Sequence, residues 1–301
     1  MLVLLHPGLR TTVQDLGRSG HLRAGVPNSG AADRWAHALA QALVGNPPHA
    51  AGLEIVGGPA RFRCDDARVV AVTGRDARLR GRGPLPSYTA VLARAGQELV
   101  IEGGDRCRFA YLAVSGGIAA GGVLGSLSAY VPAGLGPFPR ALIAGDELPL
   151  AAPTVEAGSA GVAAAALTYE GPLRAMRGPH AGRFTAAAME TFFGAEFVVR
   201  PDSDRMGLRL GGSRVAARAG EILTCGLIAG AVQVPQSGEP IVMLADHQTT
   251  GGYPVIATVI GADLGRAAQL VPGERVSFVE VDRADALAAR RAMRLRVGAV
   301  A

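Results

Sequence analysis

The stretch LADHQTTGGYPVIATVIGADL, residues 244–264, places a polar segment between two apolar, β-branched runs. The first run ends at Asp246, and the second begins at Val255 after a glycine pair, a tyrosine and a proline. A tight hairpin needs only about two to five residues, commonly with one glycine or an Asn-Gly pair. This connection holds a carboxylate, an imidazole, an amide, two hydroxyls and a phenol. The stretch therefore predicts two strands joined by a segment that is a ligand site as well as a turn.

Most of the remaining chain has the same strand-like composition. Short runs rich in Val, Ile, Tyr and Phe are bounded by Gly, Pro or Asp, which is typical of short strands with turns. The 42 glycines and 19 prolines favour barrels or sandwiches over alternating βαβ units. The predicted strands are 53–57, 68–74, 98–104, 108–117, 196–201, 241–246, 255–261 and 275–281.

A few helices interrupt the strands. In SGAADRWAHALAQALVGNPP, residues 29–48, apolar side chains at i, i+4 spacing share one face. Ser29 or Asp33 can cap the start of this helix, and Gly45 followed by prolines ends it. Further helices are predicted over 184–193, 262–270 and 283–296.

The segment AAPTVEAGSAGVAAAA, residues 151–166, is small, nearly uncharged and without a clear period. This composition is typical of a linker between two strand-rich halves. We therefore predict one domain over 1–155, a second over 165–285, and a C-terminal helix and tail over 283–301.

Composition excludes several classes of protein. Hydrophobic residues make up 49% of the chain, which excludes disorder over most of its length, and no run reaches the ~18 apolar residues of a membrane span. The three cysteines form no close pair, so no disulfide framework and no metal site are expected. The net charge of +5 comes from scattered arginines, and only 5% of residues are aromatic, so no nucleic-acid surface is expected. The opening MLVLLHPGLR is too short for a signal peptide, and a cytoplasmic location is the default expectation.

The chain contains no lysine, since all 30 of its Lys+Arg residues are arginine. It therefore has no lysine for a phosphate-binding P-loop, for a Schiff base or for covalent biotin. Any phosphate or carboxylate must be bound by arginine, histidine or backbone N–H groups.

Polar residues also crowd together near the N-terminus and around position 180. Within residues 8–34 they precede the first predicted helix, where a solvated loop and a ligand site are both open interpretations. In RGPHAGRF, residues 177–184, His180 stands before the second predicted helix. It is either a cap or packing residue, or part of an anion site at the helix N-terminus.

A further cluster is RPDSDRMGLRLGG, residues 200–212. Its charges either decorate a solvated hairpin, or Arg205 grips a carboxylate or phosphate with two parallel hydrogen bonds while Asp204 orients it. The residues leave these alternatives open.

Seven pieces of the chain together resemble one family. They are TTVQDLGRSGHLRAGVPNSGAADR, LAQALVGNP, AYLAVSGGI, VLGSLSAY, GPH, SDRMG and ADHQTTGGYPVIATVIGADL, which lie between residues 11 and 264, and the resemblance as a whole runs over about residues 8–281. They resemble the biotin-dependent carboxyltransferase/KipA family, which includes the C-type subunit of 5-oxoprolinase, proteins called allophanate hydrolase subunit 2, and a segment of urea carboxylase. The resemblance implies a mainly β fold of two cyclophilin-like β-barrel subdomains with a few helices.

The resemblance also implies that the polar clusters contribute to one shared substrate pocket. The catalytic candidates are Asp15, Arg18, His180, Asp204, Arg205 and Asp246. The substrate-binding candidates are Thr11, Thr12, Gln14, Ser29, Gln248, Thr249, Thr250, Gly251, Gly252 and Tyr253. No metal ligand is among them, and no catalytic role is assigned to His247.

Three activities follow from the resemblance. The first is a subunit of an ATP-dependent 5-oxoprolinase, which opens 5-oxo-L-proline to L-glutamate. It acts with a KipI-like partner (the B-type subunit of 5-oxoprolinase) and a further hydrolase subunit, uses ATP with Mg as a substrate of the complex, and is inactive or nearly so alone. The second is the carboxyltransferase of a biotin-dependent urea carboxylase or allophanate hydrolase system, which would need a separate biotin carrier. The third is a non-catalytic regulator that antagonises a KipI-like kinase inhibitor.

Overall fold

The computed structural model describes residues 1–218 and 222–300, over which the chain is mainly β with a few helices. The fold class expected from the sequence is confirmed. Two compact units divide the chain: unit 1 is Met1–Ser19, Ser29–Thr168 and Arg294–Ala301, and unit 2 is Gly20–Asn28 and Tyr169–Met293. Both are discontinuous in sequence, and the domain bounds 1–155, 165–285 and 283–301 stay a prediction. Residue 301 of the predicted tail lies outside the described residues.

Unit 1 has strands β1 to β11, helix α1 (Arg34–Leu43) and the last residues of the C-terminal helix. The strands are β1 (Leu2–Pro7), β2 (Arg10–Gln14), β3 (Gly52–Val56), β4 (Ala60–Cys64), β5 (Arg68–Thr73), β6 (Ala77–Arg80), β7 (Pro84–Leu85), β8 (Val91–Ala93), β9 (Glu98–Gly103), β10 (Ala110–Val114) and β11 (Glu147–Leu148). They form a six-stranded sheet in the order β11-β1-β4-β9-β6-β7 and a five-stranded sheet in the order β2-β3-β10-β5-β8.

The two sheets of unit 1 share one hydrophobic core. Leu4 and Phe62 of the first sheet belong to the same buried cluster as Val72 and Leu112 of the second. Strand β4, ARFRC, shows the origin of this arrangement, because its three apolar residues are buried and its two arginines are exposed. Such alternation places one face of a strand against the core and the other in solvent.

Helix α1 covers the other face of the five-stranded sheet, where it packs on β5 and β10. Of the two caps predicted for it, the structure uses Asp33, whose Oδ1 accepts hydrogen bonds from the backbone N–H groups of Trp35 (3.2 Å) and Ala36 (3.1 Å). The Thr73 hydroxyl of β5 donates to the Ala36 carbonyl at 2.8 Å. Because β5 lies between the core and α1, all six of its residues are buried, and its sequence is correspondingly apolar without alternation.

The segment 151–166 belongs to unit 1, which ends two residues later at Thr168, and its backbone is hydrogen-bonded to that unit, while its role as a linker between two halves stays a prediction. The backbone N–H of Ala90 donates to the Val162 carbonyl at 2.7 Å, and that of Ala164 donates to the Tyr88 carbonyl at 2.9 Å. The buried guanidinium of Arg68 donates to the Ala151 carbonyl at 2.7 Å. The small side chains of this segment let its backbone lie against neighbouring strands.

Unit 2 has strands β12 to β21 and helices α2 (Ala186–Gly194) and α3 (Leu264–Gln269). The strands are β12 (Leu173–Arg177), β13 (Phe197–Val199), β14 (Gly207–Gly212), β15 (Cys225–Gly226), β16 (Ala231–Gln233), β17 (Ile241–Met243), β18 (Thr250–Gly251), β19 (Val255–Val259), β20 (Arg275–Val276) and β21 (Phe278–Glu280). Phe192 of α2 packs with Phe197 and Phe278, its ring centroid 4.5 Å from that of Phe278.

Eight of these strands form one sheet in the order β20-β13-β14-β17-β16-β19-β12-β21. The two edge strands, β20 and β21, are consecutive in sequence and separated only by Ser277. The sheet therefore curls into a nearly closed barrel. The single strand predicted over 275–281 is in fact two strands, because the chain passes from one edge of the sheet to the other at this residue.

Helix α4, Arg283–Gly298, confirms the predicted C-terminal helix. Its buried Val297 packs with Ala38 and Ala42 of α1 in unit 1. Over residues 1–218 and 222–300, no helix combines the length and apolar character needed to cross a membrane.

Candidate functional site

In unit 1, the buried carboxylate of Asp15 follows strand β2 and accepts four hydrogen bonds. Its Oδ1 accepts from the backbone N–H of Gly17 (2.7 Å) and from the hydroxyls of Ser126 (2.7 Å) and Ser128 (2.5 Å). Its Oδ2 accepts from the backbone N–H of Leu127 at 2.7 Å. Two of the family-like pieces, TTVQDLGR and VLGSLSAY, are thus joined at one carboxylate.

These hydrogen bonds set the ionisation of Asp15. Burial by itself would raise its pKa, but the hydrogen bonds from Ser128, Ser126 and the backbone N–H groups of Leu127 and Gly17 outweigh burial and hold the pKa below its usual value. Asp15 is therefore ionised at neutral pH and anchors two loops of unit 1 to each other. This geometry favours a positioning role, and the catalytic role remains a prediction.

The other predicted residues of the N-terminal cluster are buried too, although residues 19–25 between them are mostly exposed, so the cluster is not a wholly solvated loop. Thr11, Thr12, Gln14, Arg18 and Ser29 are each at most 5% exposed. Four of them donate side-chain hydrogen bonds to backbone carbonyls: Thr11 to Pro7, Gln14 to Ala129, Arg18 to Ser128, and Ser29 to Ala129. These side chains hold the fold of unit 1 around β2.

Unit 2 contains a cavity of about 400 Å³, which is within the usual size of small-molecule sites. Strands β14, β16 and β17 and the loop after Asp246 supply its lining. Polar residues of the lining include Asp204, Arg209, Gln233, Gln248 and Tyr253. Three of the predicted residues, Asp204, Gln248 and Tyr253, therefore share one cavity.

The two arginines that line this cavity lie beside carboxylates. Arg200 pairs with Asp202 at 3.1 Å and with Glu239 at 3.1 Å, while Arg209 Nε lies 3.7 Å from Asp202 Oδ2. With Asp204, the lining has three carboxylates and two guanidiniums, a net formal charge of −1 (2 − 3). This cavity therefore lacks the strongly cationic lining that a phosphate-binding pocket is expected to have.

Arg205 forms a buried ion pair with Asp246. The Nε–Oδ2 and Nη2–Oδ1 distances are 2.7 and 3.0 Å, and both side chains are 7% exposed. The surface-charge interpretation of Arg205 is therefore wrong, and Asp246 occupies the guanidinium fork in the manner predicted for a ligand. Asp204 accepts hydrogen bonds from the backbone N–H groups of Met206 (2.8 Å) and Gly207 (3.1 Å), so it fixes the turn into β14.

The loop after Asp246 is held by its own backbone and by β15. His247 is 2% exposed, and its Nδ1 lies 2.7 Å from the Gln248 carbonyl. Burial lowers the pKa of His247 against the opposing effects of that carbonyl and of the Asp246 charge, so the imidazole is neutral at neutral pH. The predicted residues Thr250 and Gly251 form β18, which pairs with β15.

Gln233 is a residue of the cavity that sequence reasoning missed. Its Oε1 accepts a hydrogen bond from Gln248 Nε2 at 3.2 Å, and its Nε2 donates to the Tyr253 carbonyl at 3.3 Å. The only sequence signal was one amide within the apolar run AVQV, residues 231–234.

His180 does not lie at the start of α2, because five residues separate it from Ala186 and the cap of that helix is Thr185. The Nδ1 atom of His180 accepts a hydrogen bond from the backbone N–H of Val255 at 3.2 Å. The anion site predicted at a helix N-terminus is therefore wrong for this histidine, which instead docks on β19.

The structure thus gathers the predicted N-terminal residues into a network in unit 1 and three others, Asp204, Gln248 and Tyr253, into a cavity in unit 2, and the single shared pocket stays a prediction. Thr249 and Gly252 belong to the same loop of unit 2 as Gln248 and Tyr253. Within residues 1–218 and 222–300, no cluster of three or more His, Cys, Asp or Glu side chains is arranged to hold a metal ion.

Comparison with known proteins gives these features a context. The family described as carboxyltransferase domain, subdomain A and B, matches residues 24–280. The chain is similar to the C-type subunit of 5-oxoprolinase from Escherichia coli K12, with 37% identity over 97% of this chain and 94% of that protein. It is also similar to the C-type subunit of 5-oxoprolinase from Haemophilus influenzae, with 33% identity over 97% of this chain and 94% of that protein. Among solved structures, Kluyveromyces lactis urea carboxylase superposes with a TM-score of 0.91 and 25% identity, over 100% of this chain and 29% of that one.

Proposed function

Since the chain belongs to the carboxyltransferase domain, subdomain A and B, family, we propose that it is one subunit of an ATP-dependent 5-oxoprolinase complex. The complex opens the lactam of 5-oxo-L-proline with water to give L-glutamate, driven by hydrolysis of ATP. A KipI-like subunit and a further hydrolase subunit complete it, and this chain alone is inactive or nearly so.

The observation that carries this proposal is the end-to-end match to two proteins named as the C-type subunit of 5-oxoprolinase. The alignment covers 97% of this chain and 94% of the E. coli protein. By contrast, this chain spans 29% of the K. lactis urea carboxylase chain. These coverages support a C-type subunit over the larger enzyme, to one segment of which this chain is similar.

The cavity of unit 2 supports a small amide substrate. The carboxamides of Gln233 and Gln248 line it beside the apolar side chains of Met206 and Ile241. A lactam has one N–H donor, one carbonyl acceptor and an apolar ring, which such a lining can pair and pack. Arg209 is the candidate for the substrate carboxylate, since its 3.7 Å separation from Asp202 is the longest arginine–carboxylate pairing of the lining.

The lining of the unit 2 cavity does not fit the phosphates of a nucleoside triphosphate by itself. The chain has no lysine, and the arginines of the cavity lie beside a greater number of carboxylates. The proposal therefore assigns ATP and its Mg to the partner subunits.

A second candidate function is the carboxyltransferase of a biotin-dependent enzyme. The TM-score of 0.91 to a urea carboxylase supports it. Biotin would have to arrive on a separate carrier, because this chain lacks the lysine that carries it covalently. Urea, like the lactam, offers N–H donors and a carbonyl to the carboxamides of the cavity.

Reconstitution separates the two candidates. The chain is mixed with its KipI-like and hydrolase subunits, and glutamate formed from 5-oxoproline is measured with and without ATP. We expect ATP-dependent glutamate formation that is insensitive to avidin, which sequesters biotin. Failure to form glutamate, together with avidin-sensitive carboxylation of urea when a biotin carboxylase is supplied, would reverse the order of the two candidates.

A further inference from the structure

Gln233 connects the two ends of the loop that borders the cavity. It lies on β16 and is 1% exposed. Its Nε2 donates to the Tyr253 carbonyl at 3.3 Å, and its Oε1 accepts from Gln248 Nε2 at 3.2 Å. Gly251, between these two contacts, packs so closely that a Cβ there would lie 2.6 Å from Gln233 Nε2. The carboxamide of Gln233 is thus enclosed by the loop.

The Tyr253 carbonyl determines the orientation of both glutamines. A backbone carbonyl only accepts hydrogen bonds, so the atom of Gln233 that faces it must be Nε2. Oε1 of Gln233 also only accepts, so the atom of Gln248 that faces it must be Nε2 as well. The remaining oxygen, Gln248 Oε1, is therefore directed away from Gln233, and Gln248 lines the cavity.

We propose that Gln233 is a positioning residue that makes Gln248 present an acceptor, Oε1, to an N–H group of the substrate. The inference rests on the proposed function, in which this N–H belongs to the lactam of 5-oxoproline. An unrestrained glutamine side chain would present its NH₂ as readily as its oxygen, because half a turn about its last bond exchanges them. Gln233 removes that freedom and makes the contact selective for a donor.

The variant Gln233→Glu tests the orientation, because glutamate has nearly the same shape as glutamine. When protonated, the new carboxyl donates to the Tyr253 carbonyl and accepts from Gln248, as the parent side chain does. When ionised, it has no donor and faces the Tyr253 carbonyl with an oxygen, so the two oxygens repel and the carboxylate moves out of the position in which it accepts from Gln248. In the reconstituted complex we expect kcat/KM for 5-oxoproline about tenfold below the parent at alkaline pH. We expect it to recover to within about twofold of the parent as pH falls through the titration of the carboxyl.

Two further variants separate this role from a loss of stability. Gln233→Leu removes both hydrogen bonds, and we expect it to lose about tenfold at every pH, mainly through a higher KM. Gln269→Leu is the matched control, since Gln269 is 0% exposed in α3 of the same unit. It lies outside the lining of the cavity, and we expect its kcat/KM to stay within about twofold of the parent.

The side-chain amide resonances of Gln248 in the isotope-labelled full chain report the orientation without turnover. We expect them to shift with pH in Gln233→Glu and to be unchanged by Gln269→Leu. If the Gln248 amide resonances of Gln233→Glu do not shift with pH, the positioning role of Gln233 is wrong. If Gln233→Leu has the same kcat/KM as the parent, the proposed contact between Gln248 and the substrate N–H is wrong. A parent complex that does not turn over 5-oxoproline rejects the proposed function instead, and the resonances alone then decide the role of Gln233.

Discussion

At the scale of single residues, Arg205, before the start of β14, and Arg209, within β14, have different partners and should respond differently to the same substitution. Arg205 holds the buried Asp246 with two hydrogen bonds. A lysine cannot reproduce this fork, so Arg205→Lys should lower the free energy of unfolding by about 1.5–3 kcal/mol in urea denaturation. Arg214→Lys, at an exposed arginine of the same unit, is the control and should change it by less than about 0.5 kcal/mol. If Arg205→Lys has the same free energy of unfolding as the parent, the hydrogen-bonded fork between Arg205 and Asp246 contributes nothing to stability.

Arg209 should instead affect the substrate. Its side chain is 49% exposed, and it lies 3.7 Å from Asp202. Arg209→Lys should leave stability within about 0.5 kcal/mol and raise KM for 5-oxoproline by about three- to tenfold with kcat little changed. Steady-state kinetics of the reconstituted complex measure this, and an unchanged KM would remove Arg209 from the substrate site.

Asp15 offers a way to distinguish an anchor from a catalyst. Asp15→Asn replaces one carboxylate oxygen by an NH₂ group. This new donor then faces another donor, either the backbone N–H of Leu127 or the hydroxyls of Ser126 and Ser128. We expect a loss of about 1–3 kcal/mol in the free energy of unfolding, whereas Asp105→Asn, at an exposed position of unit 1, should lose less than about 0.5. Because the folded pKa is depressed, the stabilisation by Asp15 should be present above the unfolded pKa and lost as pH falls through the folded one. Full stability with abolished activity would instead identify a catalytic carboxylate.

His37 makes the stability of unit 1 depend on pH. It is 1% exposed in α1, and burial lowers its pKa to about 4. The unfolded chain takes up a proton below about 6.5, before the folded chain does, so stability should fall between about pH 6.5 and 4, by on the order of 3 kcal/mol. Chemical denaturation of His37→Gln across this range should show a shallower slope than the parent. Equal slopes for the parent and His37→Gln would contradict the assignment.

At the scale of elements, the short ribbon of β15 and β18 depends on a glycine. A Cβ at Gly251 would lie 2.6 Å from Gln233 Nε2 and 2.8 Å from Leu227 Cδ1. Gly251→Ala should therefore cost about 1–3 kcal/mol in thermal or urea denaturation through overpacking. Gly226→Ala, on the partner strand β15, has nothing within 4 Å of its new Cβ and should cost much less. Equal stability of the two variants would mean that the loop opens easily.

The sequence predicted those strands and helices whose own residues form a recognisable hydrophobic pattern. Strands such as β5 and β9 and helices such as α1 follow from long apolar runs with glycine or proline at their ends. Two-residue strands such as β7 and β15 have no period to detect. The opening run was weighed only as a leader, although it forms β1, an interior strand of a six-stranded sheet.

The site was predicted only in part, because its contacts are set by strand pairing. The sequence grouped Arg205 with its neighbour Asp204. The antiparallel pairing of β14 and β17 instead brings it to Asp246, 41 residues away. Likewise nothing in the apolar run around Gln233 shows that its amide faces the loop at 248–253. The crowding of polar residues therefore identified the segments of the site, but the tertiary structure determines which of their residues contact each other.

At the scale of the whole molecule, the proposed function predicts that activity belongs to a complex. The purified chain should form no glutamate from 5-oxoproline with ATP, and the other subunits without it should be equally inactive. Mixing them should restore ATP-dependent turnover and shift the chain to a larger species in size-exclusion chromatography. Full turnover by the chain alone would contradict the need for a partner.

The barrel of unit 2 is completed by strands that the chain makes last. β13 pairs with β20, and β12 pairs in parallel with β21, so both closing partners lie within residues 275–280. About 100 residues separate β12 from β21, and about 75 separate β13 from β20. At the roughly 5–20 residues per second that a ribosome adds, the two edges stay open for about 5–20 and about 4–15 seconds of synthesis. During that time the nascent unit presents unpaired backbone to other chains. Translation rate and chaperone access over this interval should therefore govern how much of the newly made chain reaches the folded state.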